Sequence, residues 1–209
     1  NLDGKIKFLK THHLNVKIGG FNFTDQTNTC ATVYIVRDPR NLVSSISNHF
    51  SKSPQESRDF LMSPKILGAK EGINNSKNGH VVTFLGNWGE HYNFWKQNNK
   101  NFLLIRYEDL LNNTEKELDK LIIFLKKFTY FKVDELKKEN IIKTTSFDSL
   151  KIMENKGLFE ENVVNHIKKQ KINFFNQGPN NKWENLLDKG IKKDLEEKFR
   201  NEMKELNYL

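Results

Sequence analysis

The sequence predicts an α/β fold built on parallel strands, and three observations predict it. Thr32-Val33-Tyr34-Ile35-Val36 is a short β-branched and aromatic run of the buried-strand type, and it breaks at Asp38-Pro39 into a helix that runs to about Phe50. Asn101-Phe102-Leu103-Leu104-Ile105-Arg106 is a second continuous apolar run, followed by a helical stripe of Leu118, Leu121, Ile122 and Leu125. Strand, turn and helix therefore repeat, which is the pattern of a parallel βαβ unit. The 209 residues suit one domain with a sizeable core.

Bulk properties narrow the function classes. The net charge of +8 favours anionic partners: a nucleotide, a sulfated sugar, a nucleic acid or a lipid surface. Much of the Lys is scattered along helical faces, as on ordinary solvated surface. Hydrophobic residues make up only 36%, but 16 Phe supply bulk for a core. The single cysteine, Cys30, excludes an internal disulfide framework and points to a reducing compartment. No stretch approaches the length of a transmembrane helix, and no signal peptide is visible.

Taken in order, Lys5 to Lys10 alternates apolar and charged residues and reads as a strand. Thr11-His12-His13 follows at its end, where an imidazole with a pKa near neutrality suits general-base work. Lys17 to Thr29, with Gly19-Gly20, reads as a connecting loop. After the strand at Thr32, Asp38 suits an N-cap and Pro39 the first helical position. That turn puts Arg37 at the carboxyl end of a strand beside a helix N-terminus, where anions are favoured. Ser45 lies about two turns into the helix, so a guanidinium and a hydroxyl can share one phosphate. Ser51 to Gly79 reads as a loop and a candidate lid. Val81 to Gln97 places Phe84, Leu85, Trp88, Tyr92 and Trp95 on one helical face. Thr114 and Glu117 read as a capping box, and Thr144 to Asp148 as a helix cap. Leu186 to Leu209 reads as a terminal helix with Leu195, Phe199, Met203 and Leu206 inward.

Six stretches, in order from residue 10 to 185, carry a resemblance. They are Lys10-Thr11-His12, the segment from Thr32 to Ser45, Trp88-x-x-His91, Tyr107-Glu108-Asp109-Leu110, Thr145-Ser146-Phe147, and Phe174 to Asn185 with Gly178, Trp183 and Asn185. Together they resemble the cytosolic-type sulfotransferases that use 3′-phosphoadenosine 5′-phosphosulfate (PAPS). The resemblance implies a three-layer sandwich, a central parallel sheet flanked by helices, similar to P-loop NTPases. It implies His12 as catalytic base with Lys10 as electrostatic helper, His13 remaining open as the base. Arg37 and Ser45 would hold the cofactor's 3′-phosphate, and Tyr107 would approach its adenosine. Thr145, Ser146 and Phe147 would contact adenine, and Phe175, Asn176, Gln177 and Gly178 would form the C-terminal phosphate loop.

The chain departs from that pattern in two places. Asn176 and Gln177 stand where the family has Arg and Lys, and Asn181 and Lys182 where it has Gly and Asp. Nothing in residues 1–9 resembles the family's first strand and phosphosulfate-binding loop, so that part is expected upstream of Asn1. The implied reaction is sulfuryl transfer from PAPS to a hydroxyl or amine, releasing adenosine 3′,5′-bisphosphate, without a metal. The expected partner is a small-molecule, glycan or lipid acceptor; no nucleic acid and no stable membrane insertion are expected, and the expected location is cytoplasmic. The competing readings are a catalytically degenerate nucleotide-binding relative and a basic nucleic-acid-binding domain.

Overall fold

The computed structural model describes residues 5–67, 82–159, 163–165 and 170–209. In chain order its elements are β1 (Lys17–Ile18), β2 (Phe21–Asn22), β3 (Thr32–Val36), α1 (Pro39–Phe50), α2 (Pro54–Met62), β4 (Lys65–Leu67), β5 (Thr83–Gly86), α3 (Trp88–Gln97), β6 (Phe102–Arg106), α4 (Tyr107–Asn112), α5 (Thr114–Leu125), α6 (Glu135–Thr144), α7 (Phe147–Asn155), β7 (Val163–Asn165), β8 (Gln170–Ile172), a 3₁₀ turn (Gly178–Asn180), α8 (Trp183–Leu186), α9 (Lys189–Lys198) and α10 (Arg200–Glu205).

β3 and β6 pair in parallel, Thr32 opposite Phe102 and Val36 opposite Arg106. Their carboxyl ends are therefore level, and each chain runs on into a helix. Asp38 caps α1 by accepting from the Arg40 N–H at 2.8 Å, and Pro39 takes the first helical position. One face of the strand pair packs Tyr34, Val36, Phe102 and Leu104 against Trp88 and Tyr92 of α3 and against Leu206 and Tyr208. On the other face Ile105 is buried, while Val33 and Ile35 stay 37% and 58% exposed. α5 packs against β6. The arrangement is the predicted α/β fold.

The C-terminal stripe folds as its period predicts. Ile191, Leu195, Phe199 and Met203 form a core with Val43 of α1 and Leu61 of α2. The predicted single helix from Leu186 to Leu209 is divided into α9 and α10, with Asp188 capping α9. Among the described residues no helix is long and apolar enough to cross a membrane.

Several predicted elements differ. Lys5 to Lys10 forms no strand, and Phe8 and Leu9 are exposed, because an alternating pattern makes a strand only where a neighbour supplies the ladder. The predicted loop from Ser51 contains α2, opened by a capping box in which Ser53 and Glu56 satisfy each other's backbone N–H. The rest of that candidate lid, from residue 68 to 79, lies outside the described residues, as does Val81. The predicted helix over 81–97 is β5, paired with β4, followed by α3; Gly86 at φ +66° makes the break, and Asn87 and Glu90 form a second capping box. The loop at 17–29 contains the β1–β2 hairpin, turned at Gly19 and Gly20 with positive φ. Asn113, not Thr114, caps α5; the Thr114 hydroxyl donates to the Leu110 carbonyl.

Candidate functional site

The level ends of β3 and β6 bring Arg37 and Tyr107 together. The Arg37 guanidinium lies over the Tyr107 ring, 4.5 Å from its centre. Its Nη1 donates to Ser45 Oγ at 3.0 Å, so the strand end and the second turn of α1 meet as the spacing predicts. Trp88 Nε1 donates to the Arg37 carbonyl at 3.2 Å and fixes the backbone there. The guanidinium forms no ion pair among the described residues, and its buried Nε–H has no acceptor. Burial lowers its pKa from the ordinary value, opposed by Tyr107, Glu108, Asp38 and Tyr208. A half-buried cation without a bonded counter-charge, beside a hydroxyl, is a cradle for an anion.

The C-terminal loop docks on the same helix. Asn181, 7% exposed, donates from Nδ2 to the Asn41 carbonyl at 2.9 Å and to Ser45 Oγ at 3.3 Å, and accepts from Ser44 Oγ at 2.6 Å. The Trp183 N–H donates to Asn41 Oδ1 at 2.9 Å. Three residues before Asn181, Gly178 has φ +53°, and a Cβ there would lie 2.6 Å from Phe147 Cδ2. Phe147 in turn meets Phe175 edge-on, ring centres 6.0 Å apart. The structure thus brings Phe147, Phe175 and Gly178 together, beside the loop that reaches Ser45. Thr145 and Ser146 sit at the α6–α7 corner with their hydroxyls engaged: Thr145 donates to the Ile141 carbonyl, and Ser146 caps α7 by accepting from Ser149 N–H. Asn176 is exposed and Gln177 half-buried in the same loop.

His12 and Lys10 lie in the segment that runs past α3. The His12 ring is exposed and makes no hydrogen bond among the described residues, while its carbonyl accepts from His91 Nε2 at 3.3 Å. That donor fixes the His91 tautomer, so Nδ1 accepts from the Tyr34 hydroxyl at 2.8 Å. Burial lowers the His91 pKa, and the ring is a neutral structural link. Trp88 and His91, three apart on α3, hold the Arg37 and His12 backbones respectively. His13 is occupied otherwise: it stacks on Phe23 at 4.3 Å and donates from Nδ1 to the Leu14 carbonyl at 2.7 Å.

Residues without a sequence-based role complete the frame. Arg40, 6% exposed, bonds Asp38, Glu196 and the Tyr208 carbonyl and stacks on Trp183 at 3.9 Å. The Tyr208 hydroxyl donates to Glu108 Oε2 at 2.8 Å, and Glu108 Oε1 accepts from the Asp38 N–H at 3.1 Å. Buried Glu154 accepts from the N–H groups of Phe174 and Phe175 at 2.6 and 3.0 Å and so holds the Phe175 end of the loop. Apart from the Arg40–Asp38 pair, these partners lie 20 to 168 residues apart in sequence. A separate cavity of about 600 Å³ opens beside the β1–β2 hairpin, lined by Asn15, Thr24, Phe94 and Asn98, and none of the predicted residues line it.

Parallel strands ending level at a half-buried guanidinium define an α/β protein with a candidate anion site at the carboxyl edge of its sheet. Comparison with known proteins gives the family. The sulfotransferase domain matches residues 5–207, and the chain belongs to that family. It is 27% identical over 187 residues to cytosolic sulfotransferase 12 of Arabidopsis thaliana, covering 84% of this chain and 52% of that protein. It is 26% identical over 202 residues to human sulfotransferase 2A1, covering 95% and 64%. Its fold is similar to a crystal structure of mouse sulfotransferase SULT7A1 complexed with PAP, with a TM-score of 0.60, 20% identity, and coverage of 85% of this chain and 60% of that one. The chain thus spans about half to two thirds of the length of these relatives.

Proposed function

We propose that the protein transfers a sulfuryl group from PAPS to a hydroxyl or amine of a small-molecule, glycan or lipid acceptor. The observation that carries this reading is the Arg37 cradle: a half-buried guanidinium with no ion pair among the described residues and an unpartnered Nε–H, joined to Ser45. In this reading Arg37 and Ser45 hold the 3′-phosphate, Tyr107 flanks the adenosine, and Phe147, Phe175 and Gly178 form the wall against which adenine lies. Thr145 and Ser146 act through their main chain and through the position they give Phe147, since their hydroxyls serve the helix ends. Asn176 and Gln177 offer neutral amides where the family pattern has cations. Charge-assisted bonds are roughly twice as strong as neutral ones, so the 3′-phosphate rests mainly on Arg37.

His12 takes the acceptor's proton as the acceptor atom attacks sulfur in line, and the bond from sulfur to the bridging oxygen breaks, releasing adenosine 3′,5′-bisphosphate. Lys10 offsets the negative charge that builds on the leaving oxygen. The reading treats the chain as one sulfotransferase domain, acting in the cytoplasm, with a phosphosulfate-binding loop from a part of the protein outside these 209 residues.

Incubating the intact protein with radiolabelled PAPS and a panel of phenols, steroids, sugars and lipids tests the reading. The expected result is labelled product, reduced about 10²–10⁴-fold in His12→Ala. Unchanged turnover in His12→Ala would sink the base assignment and move it to His13. A second reading, binding without transfer, is favoured by Asn176 and Gln177. It predicts that adenosine 3′,5′-bisphosphate binds while no acceptor is labelled.

A further inference from the structure

We propose that Asn181 is a positioning residue that makes Ser45 an obligate hydrogen-bond donor, and so sets the preference of the cradle for a 3′-phosphate. The proposal rests on the reading of Arg37 and Ser45 given above. A serine hydroxyl has two lone pairs and one proton. At Ser45 Oγ, Arg37 Nη1 donates at 3.0 Å and Asn181 Nδ2 donates at 3.3 Å, so both lone pairs are engaged. No described residue accepts the remaining O–H, and the buried Arg37 Nε–H has no acceptor among them either. Two unsatisfied donors on bonded residues, one of them on a cation, call for an acceptor-only group, and a phosphate oxygen is such a group.

Asn181 is itself held so that it can impose this. Its Oδ1 is taken by the Ser44 hydroxyl at 2.6 Å, which fixes which end of the amide faces Ser45. Its Nδ2 also donates to the Asn41 carbonyl at 2.9 Å, and the Trp183 N–H anchors the following turn on Asn41 Oδ1. Without Asn181, Ser45 regains a free lone pair and its hydroxyl can rotate. The loop that carries the neutral Asn176 and Gln177 is tied to α1 by the same side chain. The position therefore links the C-terminal loop to the hydroxyl that the phosphate meets.

The test is calorimetric titration of the intact protein with adenosine 3′,5′-bisphosphate and with adenosine 5′-monophosphate. The readout is the ratio of the two dissociation constants, which isolates the 3′-phosphate. Asn181→Ala is expected to lower that ratio about 3- to 10-fold, the worth of one neutral hydrogen bond, with the monophosphate affinity unchanged. In a Ser45→Ala background the same substitution is expected to leave the ratio where it is, because Asn181 acts through Ser45. Should Asn181→Ala not fold, Asn181→Asp keeps the shape without the donor, and the part of its effect abolished by Ser45→Ala is read in the same way. Equal losses for both nucleotides, or the same fall with and without Ser45, would overturn the proposal. A wild-type protein that binds both nucleotides equally would overturn the 3′-phosphate site itself, a different result from either.

Discussion

Substituting Gly178 by Ala tests the adenine wall at a single atom. Gly178 sits at φ +53°, where a side chain costs about 1–2 kcal/mol. The added Cβ would lie 2.6 Å from Phe147 Cδ2 and closer still to Cε2 and Cζ, whereas carbon atoms rest about 3.5–4.0 Å apart. The ring must therefore retreat by about 1 Å or more. It has little freedom to do so, since Phe147 opens α7 directly after its Ser146 cap and meets Phe175 edge-on. Overpacking of this kind costs about 1–3 kcal/mol, which brings the expected loss to about 2–5 kcal/mol. For a chain of this length each kcal/mol lowers the Tm by about 2–4 °C, so a thermal melt should show a drop of about 4–20 °C. On the proposed reading the ring is the adenine wall and not the phosphate site, so affinities for the monophosphate and the bisphosphate should fall together, by about 10-fold where one stacking contact is lost. Adding Phe147→Leu to Gly178→Ala should restore part of the Tm by removing the ring edge. A Gly178→Ala protein with unchanged Tm and unchanged affinity would refute the packing of Phe147 on Gly178.

Two other perturbations follow from the frame. His91 is held neutral because burial lowers its pKa, and the neighbouring His12 and His13 push the same way once charged. The unfolded chain takes up a proton on this ring below about pH 6.5, so the unfolded state binds more protons and stability is lost as pH falls through that range. Urea midpoints of wild type and His91→Gln, compared between pH 7.5 and 5, should converge on acidification; a constant gap would contradict the neutral, buried ring. Tyr208→Phe removes the hydroxyl that donates to Glu108 Oε2 but keeps the ring beneath Arg106, whose guanidinium lies 4.7 Å from its centre. A bond to a charged group is worth about 1.5–3 kcal/mol, so the Tm should fall by about 3–12 °C, and an unchanged melt would mean the hydroxyl carries no such bond.

Local signals made much of the fold legible. The Asp38-Pro39 break fixed the start of α1, the β-branched and apolar runs marked β3 and β6, and the Leu195, Phe199 and Met203 spacing marked the buried face of the C-terminus. The errors also have physical reasons. Ser51 to Gly79 reads as a loop, but Pro54 stands at the first position of α2 inside a capping box. Phe84 and Leu85 fit a helical stripe, but Gly86 turns the chain and leaves them in β5. Lys5 to Lys10 has strand alternation but forms no strand. Arg37 and Ser45 were legible because both sit on one strand-turn-helix unit. Asn181, Glu154 and Tyr208 were not, because each acts across contacts 20 to 140 residues apart that no local pattern encodes.

The most direct test of the cradle is calorimetric titration of adenosine 3′,5′-bisphosphate into the intact protein and into Arg37→Ala. Wild type should bind in the micromolar range, and Arg37→Ala should lose at least about 10- to 100-fold, the worth of one charge-assisted hydrogen bond. Equal affinities in the two proteins would contradict the assignment of Arg37 as the cation that holds the nucleotide's 3′-phosphate.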